Sequence, residues 1–406
     1  VVPTFLNQGF FEKVIRHAEK DAQAKVSSFE IVPASKPGEN FASAVFGVSI
    51  TFKSKYTKID KTISVIIKTK PVLGPGMEAY AAVLDKAPFF QNEMALYGKI
   101  LPDIQSLLLS VGDKDILSPK LIYQSVEPSP VIVLEDACVN GFTTIDKPPA
   151  DFEVSKQIVR RLAKFHAGNF YLISDHKLDP SEFRYTIFET QSTVDMLFGT
   201  AIKHFAETVS EWEGYEKYGP HLEALKGNFQ SKLLKTYKPN RAEFGFNVLN
   251  HADFHVRNLL FKKDAGDKIE DCLFLDFQIC DYATPAIDLI YAMYYFMSTE
   301  NRQNHRQEFI SEYYNQFVAT LKQLGFMKQP PSLMDLQVEL LKNGILEVVL
   351  AVCNIILFYI DSSAATPEDY DMGEGTRKAY KRLYNSPDYK AMIEKELPRF
   401  LYNGFI

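Results

Sequence analysis

Between residues 44 and 52 the chain alternates: Ala44, Phe46, Val48, Ile50 and Phe52 share one face, and Val45, Gly47, Ser49 and Thr51 take the other. A period of two marks a half-buried antiparallel strand. Thr62–Lys70 has the same pattern, with Ile63, Val65 and Ile67 opposite Ser64, Ile66 and Lys68. Phe29–Ala34 reads as a further strand, and PVIVLED over 130–136 as a buried one ending in acids. Helical spacing occurs over 8–25 (Phe10, Phe11, Val14, Ile15, Ala18), 88–101 (Phe90, Met94, Tyr97, Leu101) and 152–169 (Ile158, Leu162, Phe165, His166). Further helices are expected at 190–210, 220–237, 286–298, 302–325, 334–360 and 375–396. Late in the chain, Leu259–Phe261 and Cys272–Leu275 flank Ala265-Gly266-Asp267-Lys268, the pattern of a β-hairpin with a Gly/Asp turn. The expected class is α+β: a small first part with an antiparallel sheet plus helix, then a larger, mainly helical part. The boundary is placed after residue 137, giving parts 1–137 and 138–406.

Polar residues that break this pattern carry the chemical signal. A hairpin registered about its turn sets Asn258 opposite Asp276, with Asp253 in the loop five residues earlier. Three oxygen-bearing side chains then converge at one end of a rigid element, and hard cations such as Mg²⁺ prefer oxygen ligands. Lys68 lies in an otherwise apolar strand, where a lone charge is costly to bury. It is either an edge lysine snorkelling to water or a phosphate-binding group. Glu93, on the helix that follows, is an exposed helix acid or the partner of that lysine. His166 reads as a core histidine, and Trp212, the sole tryptophan, as a packing residue rather than a cleft wall.

Composition narrows the classes. The 406 residues are 46% hydrophobic and 24% charged, ample for a large core and more than one lobe. A net charge of −6 leaves no electrostatic footprint for nucleic acid. Ile345–Ile360 is interrupted by Glu347 and Asn354 and is shorter than the ~20 residues a bilayer requires. No membrane partner is expected, and the first residues lack the basic start and apolar centre of a signal peptide. Cys138, Cys272, Cys280 and Cys353 are scattered without CxxC spacing, as expected of reduced thiols in a cytoplasmic protein.

The order His251-x-Asp253-x-x-x-x-Asn258, a hairpin and then Asp276-Phe277-Gln278 resembles the catalytic and metal-binding segments of the protein-kinase-like superfamily. HADFHVRN followed by LDFQ is similar, more narrowly, to the insect ecdysteroid-kinase-like family, related to choline kinases and aminoglycoside phosphotransferases. That resemblance implies a bilobal fold and a small-molecule O-kinase using ATP and Mg²⁺; a monomer is expected. Asp253 would be the catalytic base or orienter, and Asn258 and Asp276 the metal ligands. Lys68, in VIIK, would hold the phosphates and be steadied by Glu93. The GENFAS loop, with one glycine, would offer Asn40 and Ser43 to phosphate, although it is no G-x-G-x-x-G. The backbone at Glu135–Ala137 would meet adenine. His251 would pack the catalytic loop, and Asp288 would hydrogen-bond its backbone, unless Asp288 is merely a helix N-terminal acid. The resemblance implies an ecdysteroid as acceptor, with choline, ethanolamine or a xenobiotic alcohol as runners-up.

Two rivals remain. His251, Asp253 and His255 alternate, and in an extended segment they would point one way, as ligands of a zinc or iron hydrolase do. The second is a pseudokinase that binds without catalysing, since fold does not fix function. Many relatives have glycine where this chain has Ala252, so the loop must accommodate a Cβ.

Overall fold

The computed structural model describes all residues except 35–41, 57–58, 74–83, 146–148, 150, 185, 187, 190, 241–244 and 355–373. Its contacts group into two compact units, residues 1–145 with 257–279, and residues 146–256 with 280–406. The hairpin segment, which the sequence reading counts with the second part, thus groups with the first unit.

In the first unit, helix α1 (Gln8–Glu19) is followed by strands β1 (Lys25–Pro33), β2 (Ala44–Lys53) and β3 (Lys61–Thr69). Asn7 caps α1 through its side chain. The helix stops short of residue 25 because Lys20 turns left-handed (φ 51°) and donates its N–H back to Arg16 and His17. Helix α2 (Phe89–Ala95) comes next, and β4 (Leu121–Ser125) and β5 (Val131–Glu135) complete an antiparallel sheet of order β1-β2-β3-β5-β4. One sheet face, with Phe46, Val48, Ile50, Val65 and Ile67, buries against Phe11, Val14 and Ile15 of α1. Side chains alternate along β3, so burying Val65 and Ile67 on that face assigns Lys68 to the other.

α2 continues past the expected end at residue 101. A π turn over Leu96–Ile100 carries the chain into Leu101–Ser110, with the Leu101 N–H reaching the Leu96 carbonyl. Pro102 accounts for it: proline has no N–H and crowds the carbonyl four residues back, and a wider turn relieves both.

Strand β6 (Phe142–Thr143) pairs with β8 (Leu259–Lys263), which pairs with β9 (Ile269–Phe274) in the expected hairpin. Its register differs from expectation by one residue. Leu259 faces Phe274, and the Asn258 carbonyl accepts the Leu275 N–H at 2.8 Å, so Asn258 does not lie directly opposite Asp276. An irregularity between Lys262 and Lys263 adds a residue on the turn side, which composition alone did not reveal.

The second unit is mainly helical. Its long helix α3 (Phe152–Ser174), capped by Asp151, packs on α5 (Arg306–Gln323), with an Arg160–Glu312 ion pair of 2.8 Å. Between them in sequence is α4 (Ala286–Phe296), buried on every side, as its uninterrupted apolar run requires. The two-stranded ribbon of β7 (Val248–Asn250) and β10 (Asp281–Ala283) brackets the loop segments of interest. The helix expected over 334–360 is broken after Leu333–Lys342 and resumes at Ile345–Val349; residues 355–360 lie outside the described residues. The α+β class is what the chain adopts. Among the described residues, no helix is long and apolar enough to cross a membrane.

Candidate active site

Lys68 is 7% exposed and does not snorkel. Its Nζ is 2.7 Å from a carboxylate oxygen of Glu93 and 2.7 Å from Oδ1 of Asp276. Glu93, 2% exposed, projects from α2. Asp276 follows β9 in a left-handed conformation, φ 62°, which few non-glycine residues adopt without a tertiary constraint. That constraint is visible in the same unit. The Asn92 side chain of α2 donates to the Gln278 carbonyl at 3.1 Å, and the Tyr97 ring stands edge-on to Phe277 at 5.5 Å. Helix α2 thus supplies one carboxylate and steadies the segment bearing the other.

One ammonium faces two carboxylates, so the cluster holds uncompensated negative charge. Burial disfavours the charged Lys68, but Asp276 and Glu93 outweigh it, and its pKa is pushed up to about 12. Glu93 is pushed up from 4.5 to about 7, by burial first; Lys68 opposes this and Asp276 adds to it. A carboxyl raised on folding contributes stability below its unfolded pKa and loses it as pH rises through the folded one. We therefore expect Glu93→Gln to reduce the loss of stability between pH 4.5 and about 7 relative to the unsubstituted chain. Urea titrations at several pH values measure it, and parallel curves would refute the assignment.

In the second unit, Asp253 lies in the loop after β7, its side chain 28% exposed and 3.3 Å from Nε2 of His255. His255 packs its ring near Tyr295, at 5.6 Å. Asp288, fully buried on α4, accepts the backbone N–H groups of His251 (2.6 Å) and Ala252 (2.8 Å) and meets Nε2 of His166 at 3.0 Å. The other ring nitrogen of His166 contacts the Tyr313 hydroxyl at 2.7 Å. His251 accepts the Asp253 N–H on Nδ1 at 3.3 Å and lies against Phe254. The loop is held by backbone bonds to a carboxylate that a helix and a histidine fix in turn.

Those bonds hold Ala252 at φ 65°. This breaks the extended conformation that would have aligned His251, Asp253 and His255 as metal ligands. A left-handed alanine costs roughly 1–2 kcal/mol, and glycine costs roughly 0.5–1 kcal/mol in unfolded-chain entropy. Ala252→Gly should therefore raise unfolding stability by about 0.5–1 kcal/mol. A fall in the denaturation midpoint would show the loop to be unstrained.

Ser43 is 6% exposed; Asn40 lies outside the described residues. The Glu135 N–H donates to the Lys120 carbonyl at 2.9 Å, and Asp136 caps Cys138 while accepting the Ser64 hydroxyl at 2.7 Å. Ala137 is buried with Leu260 and Leu273. Trp212 is 4% exposed and donates to Asn385 at 2.8 Å, a packing residue. Neither the partner of His255 nor the burial of Asp281 is visible in the sequence. Only the alternation through residues 251–255 hinted at the first.

A kinase-like phosphotransferase acting on small molecules is the class that comparison with known families gives. The sequence model of the ecdysteroid kinase-like family matches residues 37–326, and the chain belongs to that family. No curated protein matches it. Solved structures similar to it include a GDP complex of a point mutant of aminoglycoside 2'-phosphotransferase-IIIa, at 12% identity and TM-score 0.39, covering 98% of this chain and 100% of that one. The GDP complex of the wild-type aminoglycoside 2'-phosphotransferase-IIIa is similar at 12% identity and TM-score 0.35, covering 97% and 99%.

Proposed function

We propose that this small-molecule kinase transfers the γ-phosphoryl group of ATP to a hydroxyl of an ecdysteroid. The observation that carries the reading is Lys68, buried yet held charged between Glu93 and Asp276. A structural lysine gains little from such a position, because desolvation offsets most of the Coulomb attraction. A lysine that meets phosphate oxygens needs both its charge and a fixed position.

Asp253 accepts the proton of the acceptor hydroxyl. As that oxygen bonds to the γ-phosphorus, the bond from phosphorus to the β,γ-bridging oxygen breaks, and its electron pair leaves with ADP. Lys68 binds the α- and β-phosphates. Ser43, with Asn40, meets phosphate oxygens. Adenine contacts fall to the Glu135 carbonyl and the Ala137 N–H, since the Glu135 N–H is already engaged. The donor set fits Mg²⁺: an Asp276 carboxylate in a cluster short of positive charge and the Asn258 amide oxygen are hard ligands. Bound there, Mg²⁺ would neutralise phosphate charge. His251 and Asp288 keep the loop in shape.

A panel of ecdysteroids, choline, ethanolamine and plant-derived phenols, assayed for ATP-dependent phosphorylation, tests the acceptor class. Turnover confined to choline or the phenols would overturn the ecdysteroid proposal. Binding of Mg·ATP without transfer to any of them would indicate a pseudokinase.

A further inference from the structure

Asp281 opens β10 and pairs across the ribbon with Asn250, two residues before Ala252. It is 1% exposed, and neither carboxyl oxygen has a hydrogen-bond partner among the described residues. The neighbouring polar groups are accounted for. The Tyr282 N–H donates to the Phe183 carbonyl at 2.8 Å; it also lowers the Asp281 pKa, but its hydrogen-bond geometry is met at Phe183 and not at the carboxyl. Arg184 lies over the Tyr282 ring, 5.7 Å from its centre, and acts on Asp281 only through its field. Asp288 is saturated by the loop backbone and His166. The Asn250 amide nitrogen contacts the carbonyls of Val248, Asp281 and Ala283, each at 3.3 Å, while its own oxygen has no partner among the described residues.

A buried carboxyl left unbonded costs on the order of 1–3 kcal/mol or more, and native folds keep such groups where a missing partner completes them. The position indicates the partner. Asp281 acts on the buried Tyr237, which is hydrogen-bonded to Tyr291, and both tyrosines lie within the field of Asp253. Their hydroxyls stay protonated: burial raises both, Asp281 adds to the rise at Tyr237, and Tyr237 and then Asp253 add to it at Tyr291. Asp281 and the aspartate assigned as base thus both act on Tyr237 through their fields.

We propose that Asp281 is an acceptor-recognition residue, taking a hydrogen bond from a second hydroxyl of a polyhydroxylated acceptor whose reacting hydroxyl is at Asp253. This rests on the phosphoryl-transfer reading for the location of the acceptor. Burial raises Asp281 from 3.8 to about 8, against the opposing field of Arg184. At neutral pH it is therefore largely a carboxylic acid, both donor and acceptor, matching a hydroxyl rather than an ammonium. The carboxyl is covered in this conformation, so the acceptor must displace its cover on binding.

The test is calorimetric binding of ecdysone, and of analogues each lacking one hydroxyl, to the whole chain and to Asp281→Leu and Asp281→Asn, alongside thermal unfolding without ligand. Asp281→Leu should weaken ecdysone at least about tenfold, while binding the analogue that lacks the recognised hydroxyl as the unsubstituted chain does. Asp281→Asn, which retains an acceptor and a donor, should stay within about threefold. Free of ligand, Asp281→Leu should melt at a higher temperature, because an unbonded buried carboxyl has been removed. Unchanged ecdysone affinity in Asp281→Leu, or a lower melting temperature in both variants, would overturn the inference in favour of a structural carboxyl bonded to water. Affinity is read without turnover, so this outcome stands apart from failure of the kinase reading, which would appear as binding without phosphorylation.

Discussion

Asp253→Asn should lower kcat by roughly 10²–10⁴-fold, the range for losing a positioned general base, while Mg·ATP affinity stays within about twofold. The substitution is isosteric and leaves the backbone device intact. Asp288 still grips the His251 and Ala252 N–H groups, and His251 still accepts the N–H of residue 253. The capacity to take a proton and the charge facing His255 are lost. Turnover should not recover between pH 6 and 9, since an amide does not titrate there. Initial rates with the best acceptor of the panel, beside ATP binding by calorimetry, measure both quantities. Near-normal turnover would remove Asp253 from the chemistry.

Lys68→Met should act on stability as well as activity. Without the ammonium, Glu93 and Asp276 remain as carboxylates with no cation between them, and breaking a buried ion pair typically costs about 3–5 kcal/mol. Part of that cost can be escaped by protonating Glu93, already pushed up to about 7. The loss should therefore be larger at pH 8 than at pH 6. Lys68→Met combined with Glu93→Gln should recover much of the stability and none of the phosphoryl transfer. A double variant as unstable as the single one would mean that Lys68 contributes through packing of its stem rather than its charge.

Much of the Lys68 cluster was legible because pleating is strict. A period of two in Thr62–Lys70 fixes the face of Lys68 once Val65 and Ile67 are assigned to the core. Apolar spacing gave the helix that carries Glu93, whereas its pairing with Lys68 was expected only from the kinase resemblance; the π turn beyond was not legible, because it answers to Pro102 and not to apolar periodicity. The hairpin was expected and its register was missed by one residue, since an irregularity near Lys262 leaves no compositional trace. The left-handed Asp276 and Ala252 escaped for a related reason: tertiary bonds, not local preference, impose those conformations. The contact of His255 with Asp253 is local, but the left-handed Ala252 beside them is held by tertiary bonds, and the solitary burial of Asp281 depends on elements distant in sequence.

The most direct test of phosphoryl transfer with Asp253 as base is mass-spectrometric detection of phosphorylated ecdysone after incubation with Mg·ATP and either the unsubstituted chain or Asp253→Asn. The predicted result is a product one phosphoryl group heavier with the unsubstituted chain and only background product with the variant. Equal product from both would contradict the catalytic assignment, and no product from either, with Mg·ATP bound, would contradict the proposal that this chain phosphorylates ecdysteroids.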